Sequence, residues 1–218
     1  MNTRAETKAR SKPKTKRRTA PKEVRRLQLI EATVDCIAER GIAGTTMAAI
    51  TGRAGLSLGI VSMHFESKEN LLKATLTHLS QEVRSTWLSN NADHTLKPAP
   101  KLWAIAMSSF DPYIFNPKKI TVWFAFFGDA RYRAFYRQIV ESFDDERTDA
   151  LEAICESLAP DTPNFDAMGV TDAIESLGDG LWLNAMLYPE TFTREYCMTR
   201  MAEFLTATFP DQYRKGGV

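Results

Sequence analysis

Between Thr46 and Leu72 the chain reads TMAAITGRAGLSLGIVSMHFESKENLL, and the punctuation of that stretch leaves few choices of local structure. A short helical pattern ends at Ala54-Gly55-Leu56, a second short helix follows, and a third starts after a serine cap. Two short helices joined by a Gly-bearing turn form a helix-turn-helix, whose second helix is sized for the major groove of DNA.

The remaining sequence bounds what such a unit is attached to. A chain of 218 residues is one or two domains with room for a real core. No apolar run approaches the ~18 residues that span a membrane. The basic N-terminus is not followed by the apolar segment of a secretory signal. Cys36, Cys155 and Cys197 are scattered and odd in number, which fits neither a disulfide framework nor a zinc cluster. Buried free thiols in a reducing cytoplasm are the expectation.

The net charge of +1 hides a division. Residues 1–26 carry eleven Lys/Arg and two Glu, a net of +9, whereas residues 27–218 carry a net of −8. A basic arm on an acidic body suits a polyanion partner. A solvated tail and an organellar transit peptide are the alternatives, the latter lacking amphipathic spacing. Residues 1–20 have almost no apolar side chains to bury, so order is not expected there.

After Pro21 the pattern is helical. Leu27, Ile30, Val34 and Ile37 recur at steps of three and four and share a face, and Gly41 is the expected stop. Thr45 or Thr46 caps the next helix, which turns Met47 and Ile50 inward; Gly52 within it suggests close packing. Ser57 caps the second short helix, Phe65 plugs its end, and Ser67 caps a long helix with Leu72, Leu76, Leu79 and Val83 as its stripe, running to about Asn91. Residues 93–100 read as a linker. Helices are then predicted near 99–111, 117–129, 131–159, 166–188 and 193–208, with Pro112, Pro117, Pro163, Pro189 and Pro210 at or near the breaks. The fold class is all-α, with about nine helices: a three-helix head and a larger helical body. The domain expectation is an arm over 1–21, a DNA-binding head over 22–66, and an effector-binding and dimerisation body over 67–218.

A recognition helix needs small or adaptable side chains for base edges and donors for phosphates. Ser57 to His64 meets that need. Leu58 is apolar at an outward position, where a thymine methyl is a suitable partner, and Gly59 permits close approach. Ile60 and Val61 face inward, while Ser62, Met63 and His64 close the helix near the DNA backbone. Lys68 lies in the first turn after Ser67, where free N–H groups already favour an anion.

The spacing Ala54-Gly55-Leu56-Ser57-x-Gly59-x-x-x-x-x-Phe65-x-x-Lys68-x-x-Leu71 resembles the head of the TetR family of bacterial transcriptional regulators, whose usual form is AGVSxGxxYxxFxxKxxL. The resemblance covers about residues 22–72. It departs at Ser62, where a tyrosine is usual, and at His64, where an aromatic is usual. It implies that Thr46, Ser57, Ser62, His64 and Lys68 touch phosphates or bases. Gly59-Ile60-Val61-Ser62 looks most like the choline-responsive, BetI-type branch. Val122 to Phe127 and Asp179-Gly180-Leu181-Trp182-Leu183 resemble segments of that branch. The resemblance implies a homodimeric repressor on double-stranded operator DNA, released by choline or another quaternary ammonium effector. It also implies control of genes converting choline to glycine betaine, and a place in the bacterial cytoplasm, on the nucleoid when bound. No cofactor, metal or membrane partner is implied.

The body is rich in aromatics, most of which a helical core requires. A trimethylammonium group is held by aromatic faces and a nearby carboxylate, each face contributing ~0.5–2 kcal/mol when desolvated. Tyr113, Trp123, Phe127 and Trp182 with Asp179 are the candidate cage. A salt bridge or cap is the alternative role for Asp179, and Gly178 and Gly180 beside it are candidates for close helix packing. Leu177, Leu181, Met186, Met198, Met201, Phe204 and Leu205 on the last two helices are the candidate dimer surface. Two further classes are weighed against this reading. An enzyme is not expected: there is no Gly-rich phosphate loop and no HExxH, and His64, His78 and His94 pair with no nucleophile. A DNA-binding scaffold without an effector, or a regulator of the same family answering another cationic or hydrophobic effector, stays open. If the arm meets DNA, deletion of residues 1–20 weakens binding to every sequence and flattens its salt dependence; an unchanged salt slope in a polarisation titration excludes that role.

Overall fold

A computed structural model describes residues 21–159 and 165–213, without the side chains of 142–144. The basic arm of residues 1–20 and the predicted break at Pro163 lie outside the described residues. Ten helices are present among them: α1 (Lys22–Gly44), α2 (Met47–Ala54), α3 (Leu58–Phe65), α4 (Lys68–Ala92), α5 (Pro98–Ser108), α6 (Pro117–Gly128), α7 (Arg133–Ser157), α8 (Ala167–Leu187), α9 (Arg194–Thr208) and α10 (Pro210–Tyr213). The tenth is a single turn that Pro210 begins after the break at Phe209, which the expected nine did not include. None of the helices described is long and apolar enough to cross a membrane.

The α1 stripe is Leu29, Ile30, Thr33, Val34, Cys36 and Ile37, all buried. Leu27, expected on that face, is 45% exposed, because Leu29 takes the inward position at the start of the stripe. Gly41 breaks the helix with φ 67° and ψ 173°, a region that side chains other than hydrogen rarely enter. Of the two cap candidates, Thr46 accepts the Ala49 N–H at 3.1 Å, whereas the Thr45 hydroxyl donates back to the Gly41 carbonyl at 2.8 Å. Gly55 ends α2 in the left-handed region at φ 62°, ψ 31°, and the N–H groups of Gly55 and Leu56 satisfy the carbonyls of Gly52 and Thr51. Close packing does not explain Gly52, since a Cβ there would meet nothing within 4 Å.

Ser57 takes the N-cap backbone position of α3, but its hydroxyl makes no capping bond. Ser67 does cap α4, accepting the Asn70 N–H at 3.1 Å. Between them Glu66 sits at φ 64°, ψ −42°, and the Ser67 N–H donates to the Phe65 carbonyl at 2.6 Å. That is a γ-turn of the strained hand, and it lets α4 leave α3 sharply. In the body, Asn116, Asp166 and Thr193 cap α6, α8 and α9. Pro98 and Pro117 occupy first turns, where the missing N–H costs nothing.

Three hydrophobic clusters hold the chain together. Leu29, Ile30, Ala32, Cys36, Ile50, Ala54, Val61, Phe65 and Leu71 fill the head. A second cluster joins Val34, Ile37 and Ile42 of α1 to Leu72, Leu76 and Leu79 of α4, Val122 and Phe126 of α6, and Ile139 of α7. The third fills the body between α4, α5, α7, α8 and α9, around Trp87, Leu102, Phe110, Leu151, Leu181 and Met201. Cys36, Cys155 and Cys197 are free and buried in these clusters. Val83 is only partly buried, and its neighbour Glu82 takes the inward position instead.

Gly55→Ala forces a methyl-bearing residue into the left-handed region and costs ~1–2 kcal/mol. Gly41→Ala costs at least as much. Glu66→Gly releases strain and raises the urea midpoint. Urea unfolding of the three variants against the parent checks both signs.

Candidate functional site

The head presents one continuous outer face. Val61 and Phe65 of α3 are buried, four residues apart, so the opposite side of that short helix must face solvent. Leu58 is 56% exposed and Met63 65% exposed, and Gly59 and Ser62 beside them are exposed too. A Cβ on Gly59 would meet nothing within 4 Å, so the helix is open to close approach there. Ser57 stands exposed at the start of α3 and Thr46 at the start of α2. Six of the eight residues expected to meet DNA therefore lie on the exposed surface around the turn.

His64 and Lys68 are placed differently. Both ring nitrogens of His64 are shielded from solvent with no hydrogen-bond partner, and the ring leans on Phe65 with centroids 6.3 Å apart. Lys68 is half-buried at the first position of α4, and its ammonium donates to the Ile42 carbonyl at 3.4 Å. An ammonium has three donors, so this bond orients Lys68 without using it up.

Behind this face runs a polar system that the sequence reading missed. Glu82 of α4 is 7% exposed. Its Oε2 accepts from Lys119 Nζ of α6 at 2.7 Å, and its Oε1 lies 3.2 Å from His78 Nε2, one helical turn back. Glu82, through its hydrogen-bonding contact and its charge, raises the His78 imidazole above its ordinary range against the opposing effect of burial, with Glu31 adding to the rise. Burial works to raise the Glu82 carboxyl; His78, Lys119 and the Tyr113 hydroxyl overcome it and pull it down to about 2. The same hydroxyl, hydrogen-bonded to Glu82, is pushed up to about 12. Nearby, Lys118 of α6 binds Asp35 of α1 at 2.5 Å, and Asp35 also meets Arg53 of α2 at 3.3 Å. Partial burial works to raise the Asp35 carboxyl, but its bonds to Lys118 and Arg53 hold it below the ordinary range. A signal was available in the sequence: Glu82 falls three residues after Leu79, on the inward phase of α4.

The expected cage does not assemble around one cavity. Trp123 and Phe127 share Tyr136 as a neighbour, with centroids 5.8 and 5.7 Å away, and Phe127 is 55% exposed. Tyr113 is 60% exposed, and the Lys119 ammonium lies 3.7 Å from the centre of its ring, on a face a ligand cation would need. Trp182 belongs to a third neighbourhood: it donates to the Ser109 carbonyl at 2.9 Å and meets Phe115 edge-on at 5.9 Å. Asp179 is solvent-exposed rather than buried among apolar residues, because position 179 lies off the buried stripe of Ile174, Gly178 and Leu181 on α8. Surrounding protein still raises its carboxyl above the ordinary range, opposed by Arg147. Glu175, one turn earlier, pairs with Arg147 and is raised mainly by burial. Two carboxylates thus face a single guanidinium. Gly178 and Gly180 have nothing within 4 Å of a built Cβ, so close packing does not explain them.

The comparisons with known proteins agree with this architecture. Residues 29–75 match the family model described as bacterial regulatory proteins of the tetR family. Residues 98–210 match the model of the BetI-type transcriptional repressor C-terminal domain. The chain belongs to the TetR family, with a BetI-type body. It is 31% identical over 169 residues to the HTH-type transcriptional regulator BetI of Burkholderia mallei, covering 78% of this chain and 85% of that one. With BetI of Paraburkholderia xenovorans it shares 28% over 184 residues, covering 84% and 93%. Among solved structures, a transcriptional regulator from Pseudomonas aeruginosa PAO1 superposes with a TM-score of 0.73 at 24% identity, covering 90% of this chain and 95% of that one. The fatty acid degradation regulator FadR of Bacillus halodurans superposes with a TM-score of 0.72 at 17% identity, covering 87% and 96%. As a TetR-family regulator of BetI type, this protein is a DNA-binding transcriptional repressor; the family forms dimers and answers small-molecule effectors.

Replacing one member of a buried ion pair leaves the other charge uncompensated, at ~3–5 kcal/mol. Glu82→Gln strands Lys119 and is expected to cost an amount in that range, read from the urea midpoint. A cost below ~1 kcal/mol, the value of an exposed pair, would show that the cluster is solvated.

Proposed function

We propose that this repressor reads its operator through the outer face of α3, with Leu58, Gly59, Ser62 and Met63 toward the bases. Thr46, Ser57 and Lys68 serve the phosphates, and His64 supports the helix from behind. The observation that carries this reading is the exposure of Leu58 and Met63 on a helix whose opposite side is sealed by Val61 and Phe65. Large apolar side chains held out on a two-turn helix suit thymine methyls and the groove floor. The domain division follows the same logic: a head ending near Glu66, and a body from α4 onward.

The effector is choline or a related quaternary ammonium compound, and the target genes make glycine betaine. Support comes from the BetI-type body and from the surplus of carboxylate at Glu175 and Asp179 over Arg147. Asp179 and Trp182 stand three residues apart on α8 and take the cation between a carboxylate and an indole face. Trp123 and Phe127 contact Tyr136 and Tyr113 contacts Lys119, apart from the contacts of Trp182.

Dimerisation uses α8 and α9. An open groove of about 600 Å³ lies between them, lined by Leu177, Leu181, Phe192, Tyr196 and Phe204 among others. Leu183, Leu187 and Tyr188 are exposed close by on and after α8. Leu181, Met201 and Leu205, expected on that surface, mainly fill the body core. Two heads would then meet major grooves ~34–36 Å apart.

Polarisation titration with the promoter beside its own gene tests both parts. Choline is expected to weaken binding ~5–150-fold, the usual range of allosteric coupling, and Asp179→Asn to abolish that response while leaving choline-free binding intact. Lys68→Ala is expected to weaken binding to all sequences and lower the salt slope by ~1, whereas Leu58→Ala relaxes base preference. Choline-insensitive binding by the parent protein removes the effector assignment and leaves the DNA-reading face standing.

A further inference from the structure

We propose that Glu31, His78 and Glu82 form a site for a divalent transition-metal ion, such as Zn²⁺ or Mn²⁺, which clasps α1 of the head to α4 of the body. His78 and Glu82 are one turn apart on α4 and present ligand atoms on one face. Glu31 comes across from α1, and one ligand atom of each residue lies within 4.8 Å of the others. His78 Nε2 is 3.2 Å from Glu82 Oε1 and 3.7 Å from Glu31 Oε1. Ligand atoms bound to one ion at ~2.0–2.2 Å stand ~3–3.6 Å apart, so small side-chain shifts complete the set.

A second observation points to the same place. Glu82 is 7% exposed, and its Oε1 and the facing His78 Nε2, 3.2 Å apart, are both shielded from solvent with no third protein group bonded to either. Such atoms call for a proton or an ion between them. The other carboxylate oxygen is fixed by Lys119 at 2.7 Å, and the Tyr113 hydroxyl also bonds this carboxylate. These are outer-shell partners that aim Oε1 at the site. Lys119 neutralises one of the two acids, so once an ion displaces the imidazole proton the protein groups of the site carry a net charge near −1. An imidazole among the ligands selects transition ions over Ca²⁺ or Mg²⁺. Glu31 is half-exposed, and a groove of about 260 Å³ lined by Ile30, Thr77, His78 and Gln81 opens beside it, giving entry and room for water ligands.

The test uses the full-length chain stripped by chelator and titrated calorimetrically with Zn²⁺ and, separately, Mn²⁺; Co²⁺ absorption reports the ligand field. The expected result is one ion per chain with a raised thermal midpoint. Glu31→Gln and His78→Gln are each expected to weaken binding at least ~10-fold and to remove the midpoint shift, while His94→Gln changes neither. Glu31 is half-exposed, so Glu31→Gln keeps the test valid if His78→Gln folds poorly. Absence of binding by the parent, or equal affinity in parent and Glu31→Gln, overturns the site.

Discussion

Val34, Ile37 and Ile42 of α1 pack with Leu72, Leu76 and Leu79 of α4 against Val122 and Phe126 of α6, and this block is what joins reading head to sensing body. The same two helices also build the head itself, through Leu29, Ile30 and Leu71. The head is therefore not a bead on a string. Its two framing helices continue into a core shared with α6 and α7, and interiors packed at crystal density do not deform smoothly. A displacement of α6 or α4 has to be passed to the DNA-reading surface or be resisted by it.

Charge reinforces the junction. Lys118 and Lys119, adjacent on α6, reach opposite helices of the head–body seam: Lys118 to Asp35 of α1, and Lys119 to the buried Glu82 of α4. Asp35 passes the link on to Arg53 at the end of α2. The exposed contacts in this chain are individually weak, but the Glu82 pair is shielded, and its geometry is specific to one setting of α4 against α6. The packed apolar block resists sliding, and the buried ion pair beside it adds a directional constraint to that resistance.

The aromatic-rich part of the body is built on a different principle. Aromatic residues clustered in sequence are dispersed in space, because helical geometry sends neighbouring positions to different faces. Trp123 and Phe127 face Tyr136, while Trp182 turns to Ser109 and Phe115. What concentrates near Trp182 is charge, with Glu175 and Asp179 sharing Arg147. Composition shows that a helical body needs large apolar side chains; it does not show which of them meet.

Most local signals were legible, although the Ser57 hydroxyl makes no capping bond and Gly52 has no close neighbour to pack against. Gly55 required the left-handed region, Ser67 supplied a cap, and the 61/65 spacing sealed one side of α3 and so exposed the other. These are short-range facts, decided by backbone sterics and periodicity within a few residues, and the sequence alone determines the all-α class, the helix-turn-helix and its outward face. Leu27, Val83, Asp179 and the cage were read less well, since each depends on which helix lies opposite. The meeting of Glu31 with His78 and of Glu82 with Lys119 spans dozens of residues of chain. Only the tertiary structure decides such pairings, because burial and ion pairing are properties of surfaces brought together by packing and not of any one helix.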